Sequence, residues 1–347
     1  MKKFWSKTMA LWMSLSVAIL FVMPSWGQQK PQSPPARKQA TSPGQRMSLS
    51  YVTLPTGSSN YTIAVGHAQL VAKKTDIELI VQPASGSVAI PGLVGSKEAM
   101  LGMGVAQTLF DAYKGVGEYQ GKRHPFIRVL QSGHDMPFGI LTHTGTGIKS
   151  ISDLKGKRVS CNILTSNVGR HVGILELKAY GLDVKDVIAL KSENNDTGVR
   201  DLIEGRTDAT VCSLSGAKME ELATKLKPVL LPFDPSRIGV IQQGLPAVFA
   251  TVSKKTGSIP AGIPIVGTPS ILFAHQDLDE GTVYRLVKTL VESYEELRPI
   301  HRDFNDWTPK NAVKKLPIPY HPGAIKYYKE AGLWPAEMDQ VQIELLK

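Results

Sequence analysis

From Ser48 onward the chain alternates short apolar runs with longer segments whose apolar residues recur every three or four positions. The runs at 49–54, 77–82 and 99–105 predict strands. The segments at 61–74, just after 87 and from 107 predict the helices between them. Two further strands are expected at 126–132 and 139–142. A second series of the same kind then begins, with strands at 158–161, 187–191, 208–212 and 229–231 and helices at 168–180, 197–204 and 217–225. The stretch 259–270 is rich in Pro and Gly and reads as a connection before a strand at 271–274. At 280–293, Val283, Leu286, Val287, Leu290 and Val291 share one helical face. The run Leu316-Pro-Ile-Pro-Tyr-His-Pro-Gly323 breaks the chain before a last helix at 324–331. Strands alternating with helices through short loops predict parallel sheets covered on both faces, and two such series suggest two lobes of related design.

The chain before this region differs. Lys2, Lys3 and Lys7 precede an apolar run from Met9 to Met23, with Pro24 behind it and small residues at Ser25 and Gly27. This is the pattern of an export signal over residues 1–27, cleaved before Gln28. The run is shorter than the roughly 20 residues needed to span a bilayer, so a soluble, periplasmic mature protein is expected. Residues 28–46 are dominated by Gln, Pro, Ser and basic residues and read as a disordered tether.

Length and charge narrow the possible functions. The 347 residues suffice for two lobes with a substantial core. The formal net charge of +10 suggests a nucleic-acid partner, but seven of the 40 basic residues precede Met47 and all 30 acidic ones follow it. The folded part is therefore close to neutral, without the basic stripe that tracks phosphates.

In open parallel sheets, ligands lie beyond the carboxyl ends of strands, where helices begin. That rule selects four hydroxyl-rich loops: Thr56-Gly-Ser-Ser-Asn-Tyr61, Ala84-Ser-Gly-Ser87, 162–167, and Ser213-Leu-Ser-Gly216. Short polar side chains donate to ligand oxygens, and the first turn of a helix adds unpaired N–H groups and partial positive charge. Each loop alone reads first as ordinary helix capping; four at corresponding places point to a shared cleft. The candidate ligand-binding residues are Ser58, Ser59, Asn60, Tyr61, Ser85, Ser87, Thr165, Ser166, Asn167 and Ser213. Arg170 joins them as a group able to pair with a carboxylate.

Catalytic patterns are missing. No Gly-Lys-Ser/Thr phosphate loop and no Gly-x-Ser-x-Gly elbow is present, and the eight histidines show no metal-ligand spacing. Neither a catalytic residue, a metal nor a cofactor is assigned. Asp111 and Asp153 read as capping or interlobe acids. Cys161 and Cys212 end two strands of the second series that are neighbours in the common strand order. Parallel neighbours seldom orient thiols for a bridge, although an exported protein permits one.

Three segments resemble the TAXI family of solute-binding subunits of TRAP transporters, within the type II periplasmic-binding-protein architecture. They are Gly102-Met-Gly-Val with Asp111-Ala-Tyr-Lys-Gly115, the stretch from Gly147 to Val159, and the stretch from Pro317 to Gly332. The resemblance covers residues 48–335. It implies an α/β, two-lobed fold with crossing segments: residues 47–136 and 271–347 in lobe one and 137–270 in lobe two. It also implies capture of a small organic acid, glutamate- or dicarboxylate-like, for delivery to a membrane permease. The alternatives are a receptor for an ATP-driven importer or a sensor kinase, and a secreted enzyme on the same fold. The loop Asn162-Ile-Leu-Thr-Ser-Asn-Val168 carries side chains where the family has glycines, and Gln107 stands where an Asp is common. Both departures imply a pocket of different polarity.

Overall fold

The computed structural model describes residues 46–214 and 218–347. The expected signal and all but the last residue of the tether lie outside the described residues, as do positions 215–217. The chain runs β1 (Met47–Thr53), α1 (Ser59–Lys74), β2 (Ile77–Pro83), α2 (Ile90–Gly95), β3 (Leu101–Val105), α3 (Ala106–Lys114) and β4 (Ile127–His143). It continues through β5 (Arg158–Ile163), α4 (Asn167–Ala179), β6 (Ile188–Ser192), α5 (Asn195–Ile203), β7 (Ala209–Ser213) and α6 (Lys218–Lys225). The last elements are β8 (Pro228–Leu230), α7 (Ile238–Gly244), β9 (Phe249–Val252), β10 (Pro264–His275), α8 (Glu280–Glu292), α9 (Pro322–Glu330) and α10 (Glu337–Leu346).

The strands follow the order β2-β1-β3-β10-β4-β7-β5-β6, with β8 added to β4 and β9 to β10. The β1, β2 and β3 pairings are parallel, and so are those of β5 with β6 and β7. Between these two groups run β4 and β10, antiparallel to each other and to their neighbours. Side chains from β1, β2 and β3 gather with α1, α8 and α9 into one core around Ile63, Leu101, Phe273, Phe304 and Tyr328. Around β5 and β7, two further clusters cover opposite faces: Val159, Val172 and Val211 on one, Val199, Cys212 and Leu222 on the other. This is the two-lobed α/β architecture, with β4 and β10 passing between the lobes.

Local chemistry starts the helices where the sequence suggests. Ser58 accepts from the Tyr61 N–H, Ser166 from Gly169, Asn194 from Thr197 and Asp279 from Thr282. Each satisfies a donor that has no partner inside its helix. The apolar face of α8 is buried at Val283, Leu286, Val287, Leu290 and Val291, as its spacing predicts.

The crossing strands depart from the expected pattern. The two strands expected at 126–132 and 139–142 are one continuous β4, and β10 begins within the Pro/Gly-rich stretch at 259–270. Gly133 and Pro137 resemble breakers, but Gly133 sits where the ladder slips: Pro269 pairs with Asp135 and Ile271 with Ser132. Gly133 and His134 thus oppose Ser270 alone, a bulge that bends the strand. A side chain at Gly133 would bring Cβ within 2.0 Å of the Trp307 ring. Trp307 is buried there and donates Nε1–H to His134 Nδ1 at 3.0 Å. The short elements α7 and β9 carry too few periodic positions to stand out in the sequence.

Cys161 and Cys212 are both free and buried. The strands β5 and β7 are indeed neighbours, but Ser160 pairs with Thr210, which sets the two cysteines one position apart in register. Successive residues of a strand point to opposite faces. Accordingly Cys161 packs in one cluster and Cys212 in the other.

Candidate functional site

The carboxyl ends of β1, β2, β3, β5, β6 and β7 converge on a cavity of about 160 Å3. Its hydroxyl-rich walls are Thr56 and Ser58 before α1, Ser85 and Ser87 before α2, Thr165 and Ser166 before α4, and Ser213 at the end of β7. Asn194, Asn195 and Asp196 at the start of α5 complete the polar side. Leu54, Val105, Met136 and Phe138 supply an apolar surface. The lobes touch at its edge. A Cβ on Gly86 would lie 2.5 Å from the Thr165 carbonyl oxygen and 2.7 Å from the Thr165 Cβ.

Six of the eleven expected residues line this cavity: Ser58, Ser85, Ser87, Thr165, Ser166 and Ser213. Several also hold the walls together. Ser58 Oγ donates to the Pro55 carbonyl at 2.7 Å while it caps α1. Thr165 Oγ1 donates to the Glu193 carbonyl at 3.0 Å. The Ser213 N–H donates to Asn195 Oδ1 at 3.2 Å, tying the end of β7 to the start of α5. Ser87 Oγ is buried and has no hydrogen-bond partner among the described residues, so it is available to a bound molecule.

The other five do not line the cavity. Ser59 is buried beside His134 Nε2 at 3.4 Å, and Asn60 Oδ1 accepts from Ser270 Oγ at 2.9 Å. Both lie on the inner side of α1, where they tie the helix to the crossing strands. Tyr61 is half-buried and contributes its N–H to the Ser58 cap. Asn167 is fully buried between Thr108 and Asp111. Arg170 pairs with Glu118 and donates Nη2–H to the Leu164 carbonyl at 2.6 Å. It extends along the outer turn of α4 and ties that helix to the segment after α3.

The loop between β6 and α5 also lines the cavity, and the strand–loop–helix rule that selects the other four loops applies equally to Ser192 through Asp196. The apolar side of the cavity carried no signal of its own, because Leu54, Val105, Met136 and Phe138 read as ordinary strand residues.

Two buried carboxyls sit near this region. Burial raises Asp111 to about 6, against the lowering effect of hydrogen bonds from Gln107 and Asn167 and with Glu118 adding to the rise. Burial raises Glu176, on α4, to about 8. Neither faces the cavity. Its described lining holds no lysine, arginine or histidine, so positive potential there comes from the helix starts.

Solved structures share this fold. PhnD1 from Prochlorococcus marinus (MIT 9301), in complex with methylphosphonate, superposes with a TM-score of 0.53 at 14% identity, covering 86% of this chain and 98% of that one. A protein of Bordetella bronchiseptica RB50 gives 0.52 at 14% identity, over 84% and 91%. The periplasmic aliphatic sulphonate binding protein SsuA from Escherichia coli gives 0.44 at 14%, over 86% and 85%. The architecture is that of type II periplasmic binding proteins. A family model matches residues 52–332, which include both lobes and every wall of the cavity, and the chain belongs to the NMT1-like family.

Proposed function

We propose that this protein is an extracytoplasmic receptor that captures a small solute between its lobes and delivers it to a membrane transporter. The observation that carries this reading is the cavity itself. Strand ends and helix starts of both lobes meet around it, and hydroxyl-bearing residues of both lobes line it. Family membership and a fold shared with a methylphosphonate-bound protein support it. The matched family is the NMT1-like one, not the TAXI group. The partner we favour is therefore an ATP-driven importer in place of an ion-driven TRAP permease, with a sensor kinase as the second possibility. Catalysis has no support in the site, which offers no paired nucleophile and base along its described walls.

The lining also bears on the solute. Helix starts and hydroxyls satisfy an oxyanion, but the described lining supplies no cationic side chain, and Asp196 stands in the first turn of α5. A second negative charge would meet that carboxylate without a counter-charge. The solute class is thus a compact acid with no more than one negative charge and an apolar flank. A dicarboxylate fits less well.

A thermal-shift panel tests this. Small monocarboxylates, dicarboxylates, alkylsulfonates and methylphosphonate are added to the protein at increasing concentration. A solute that binds only the folded state at 100 times its Kd stabilises by about 2.7 kcal/mol. Stabilisation by singly charged acids, with dicarboxylates weaker, is the expected result. A panel without any stabilising member overturns the acid reading.

A further inference from the structure

Helices α3 and α4 belong to different cores. Ala106, Leu109 and Ala112 pack with the first lobe, Val168, Val172 and Leu177 with the second. Yet a chain of buried hydrogen bonds joins their first turns. The Ala247 N–H donates to Gln107 Oε1 at 2.8 Å, and Gln107 Nε2 donates to Asp111 Oδ1 at 2.7 Å. Asn167 Nδ2 donates to Asp111 Oδ2 at 2.6 Å, and Thr108 Oγ1 donates to Asn167 Oδ1 at 2.6 Å. All four side chains are buried.

The donor pattern limits what this chain can do. A backbone N–H only donates, so Ala247 fixes the Gln107 amide with Nε2 toward Asp111. Asp111 Oδ1 is therefore an acceptor whether or not the carboxyl is protonated. Oδ2 is different. It faces an amide that can turn over, because the Thr108 hydroxyl both donates and accepts. A proton on Oδ2 then donates to Asn167 Oδ1, while Asn167 Nδ2 donates to Thr108. No bond is lost in either state. Asn167 directly follows Ser166, so whatever holds its side chain also holds the Thr165–Ser166 wall of the cavity.

We propose that Asp111 and Asn167 form a proton-linked latch that positions the Thr165–Ser166 wall when the lobes close. The proposal goes beyond the solute-capture reading and rests only on the lobes' being able to separate. Glu118 and Tyr119, from the turn after α3, interact electrostatically with Asp111, and Arg170 and His171 of α4 interact in turn with Glu118. Arg170 is engaged by Glu118. Burial lowers His171 below its ordinary value and raises Tyr119. Asp111 is the member whose proton is exchanged near neutral pH, being raised to about 6 by burial. Separation of the lobes returns the carboxyl to water and lowers its proton affinity. Closure accordingly takes up protons. Its Asp111 contribution is complete below the open-state value and is lost as pH rises through about 6.

Nitroxide labels on Cys substituted for exposed Glu98 and Lys185, one in each lobe, report closure without any solute. Pulsed distance measurements on the solute-free protein then give the closed-to-open ratio. For an open-state carboxyl near its ordinary value, the ratio is expected to rise about tenfold from pH 8 to pH 5. Asp111→Asn mimics the protonated carboxyl, so its ratio should stay constant over the same range. Asn167→Ala should be more open than the unsubstituted protein at pH 5. An unchanged ratio between pH 5 and 8, an Asp111→Asn curve that follows the unsubstituted one, or an Asn167→Ala variant that stays equally closed overturns the latch. Because no solute is added, a failure here is separate from a failure of the solute reading.

Discussion

Gly86 of the first lobe lies so close to Thr165 of the second that a Cβ at position 86 would sit 2.5 Å from the Thr165 carbonyl oxygen. Real Cβ atoms do not approach a backbone oxygen that closely, and a backbone cannot move aside as a flexible side chain does. The glycine is the point at which the lobes meet over the cavity. Gly86→Ala should hold them apart while leaving each core intact. The expected outcome is a loss of at least tenfold in affinity for the best-binding solute, by calorimetry, with a melting temperature close to that of the unsubstituted protein. Unchanged affinity would mean that the bound form does not bring these residues together.

Ser87 and Ser166 both line the cavity but differ in what else they do. Ser166 caps α4, whereas Ser87 Oγ has no hydrogen-bond partner among the described residues. Ser87→Ala should therefore weaken solute binding by about 1 kcal/mol, the net worth of one hydrogen bond, and leave stability unchanged. Ser166→Ala should lower stability by about 1 kcal/mol as well, because a cap is lost. Paired calorimetric and thermal measurements distinguish the two.

Arg170 and Glu118 form a half-exposed ion pair between α4 and the segment after α3, away from the cavity wall. Replacing either should cost no more than about 1 kcal/mol in solute binding, and the double replacement should cost no more than one single. A hundredfold loss confined to Arg170→Ala would show that the guanidinium contacts the solute after all.

Glu176 gives a pH signature unrelated to binding. Burial raises it from 4.5 to about 8, so the folded state holds a proton that the unfolded state releases. A folded-state value above the unfolded one means that its contribution to stability is complete below about 4.5 and declines as pH rises toward about 8. At pH 7 the loss is about 3 kcal/mol. Glu176→Gln removes this dependence. The variant should match the unsubstituted protein at pH 5 in chemical denaturation and exceed it at pH 8. Equal stability of the two proteins at both pH values would contradict a buried, protonated Glu176.

Much of this architecture is legible in the sequence because it rests on local rules. Apolar spacing marks α8, and the hydroxyl-rich strand–helix junctions mark most cavity walls. What escapes the sequence is set by tertiary partners. Gly133 and Pro137 look like breaks in β4 until a bulge opposite Ser270 and the Trp307 ring account for the glycine. Asn60 and Asn167 have the chemistry of ligand contacts, but Ser270 in one case and Thr108 with Asp111 in the other engage them inside the protein. Arg170 has the chemistry of a carboxylate partner, but the carboxylate it pairs with is Glu118, 52 residues earlier, which spacing cannot place beside it. The alternation of faces along β5 and β7 keeps Cys161 and Cys212 apart, which depends on a register that composition does not reveal.

The central claim is that the two lobes hold a small solute between Ser87 and the Thr165–Ser166 turn. The most direct measurement is a crystal structure of the protein with the solute that stabilises it most in the thermal-shift panel. The account expects density for that solute in the cavity, its polar end within hydrogen-bond distance of Ser87 Oγ and the first turn of α4, and its apolar part against Met136 and Phe138. A solute bound elsewhere, with this cavity open and filled by solvent, would contradict it.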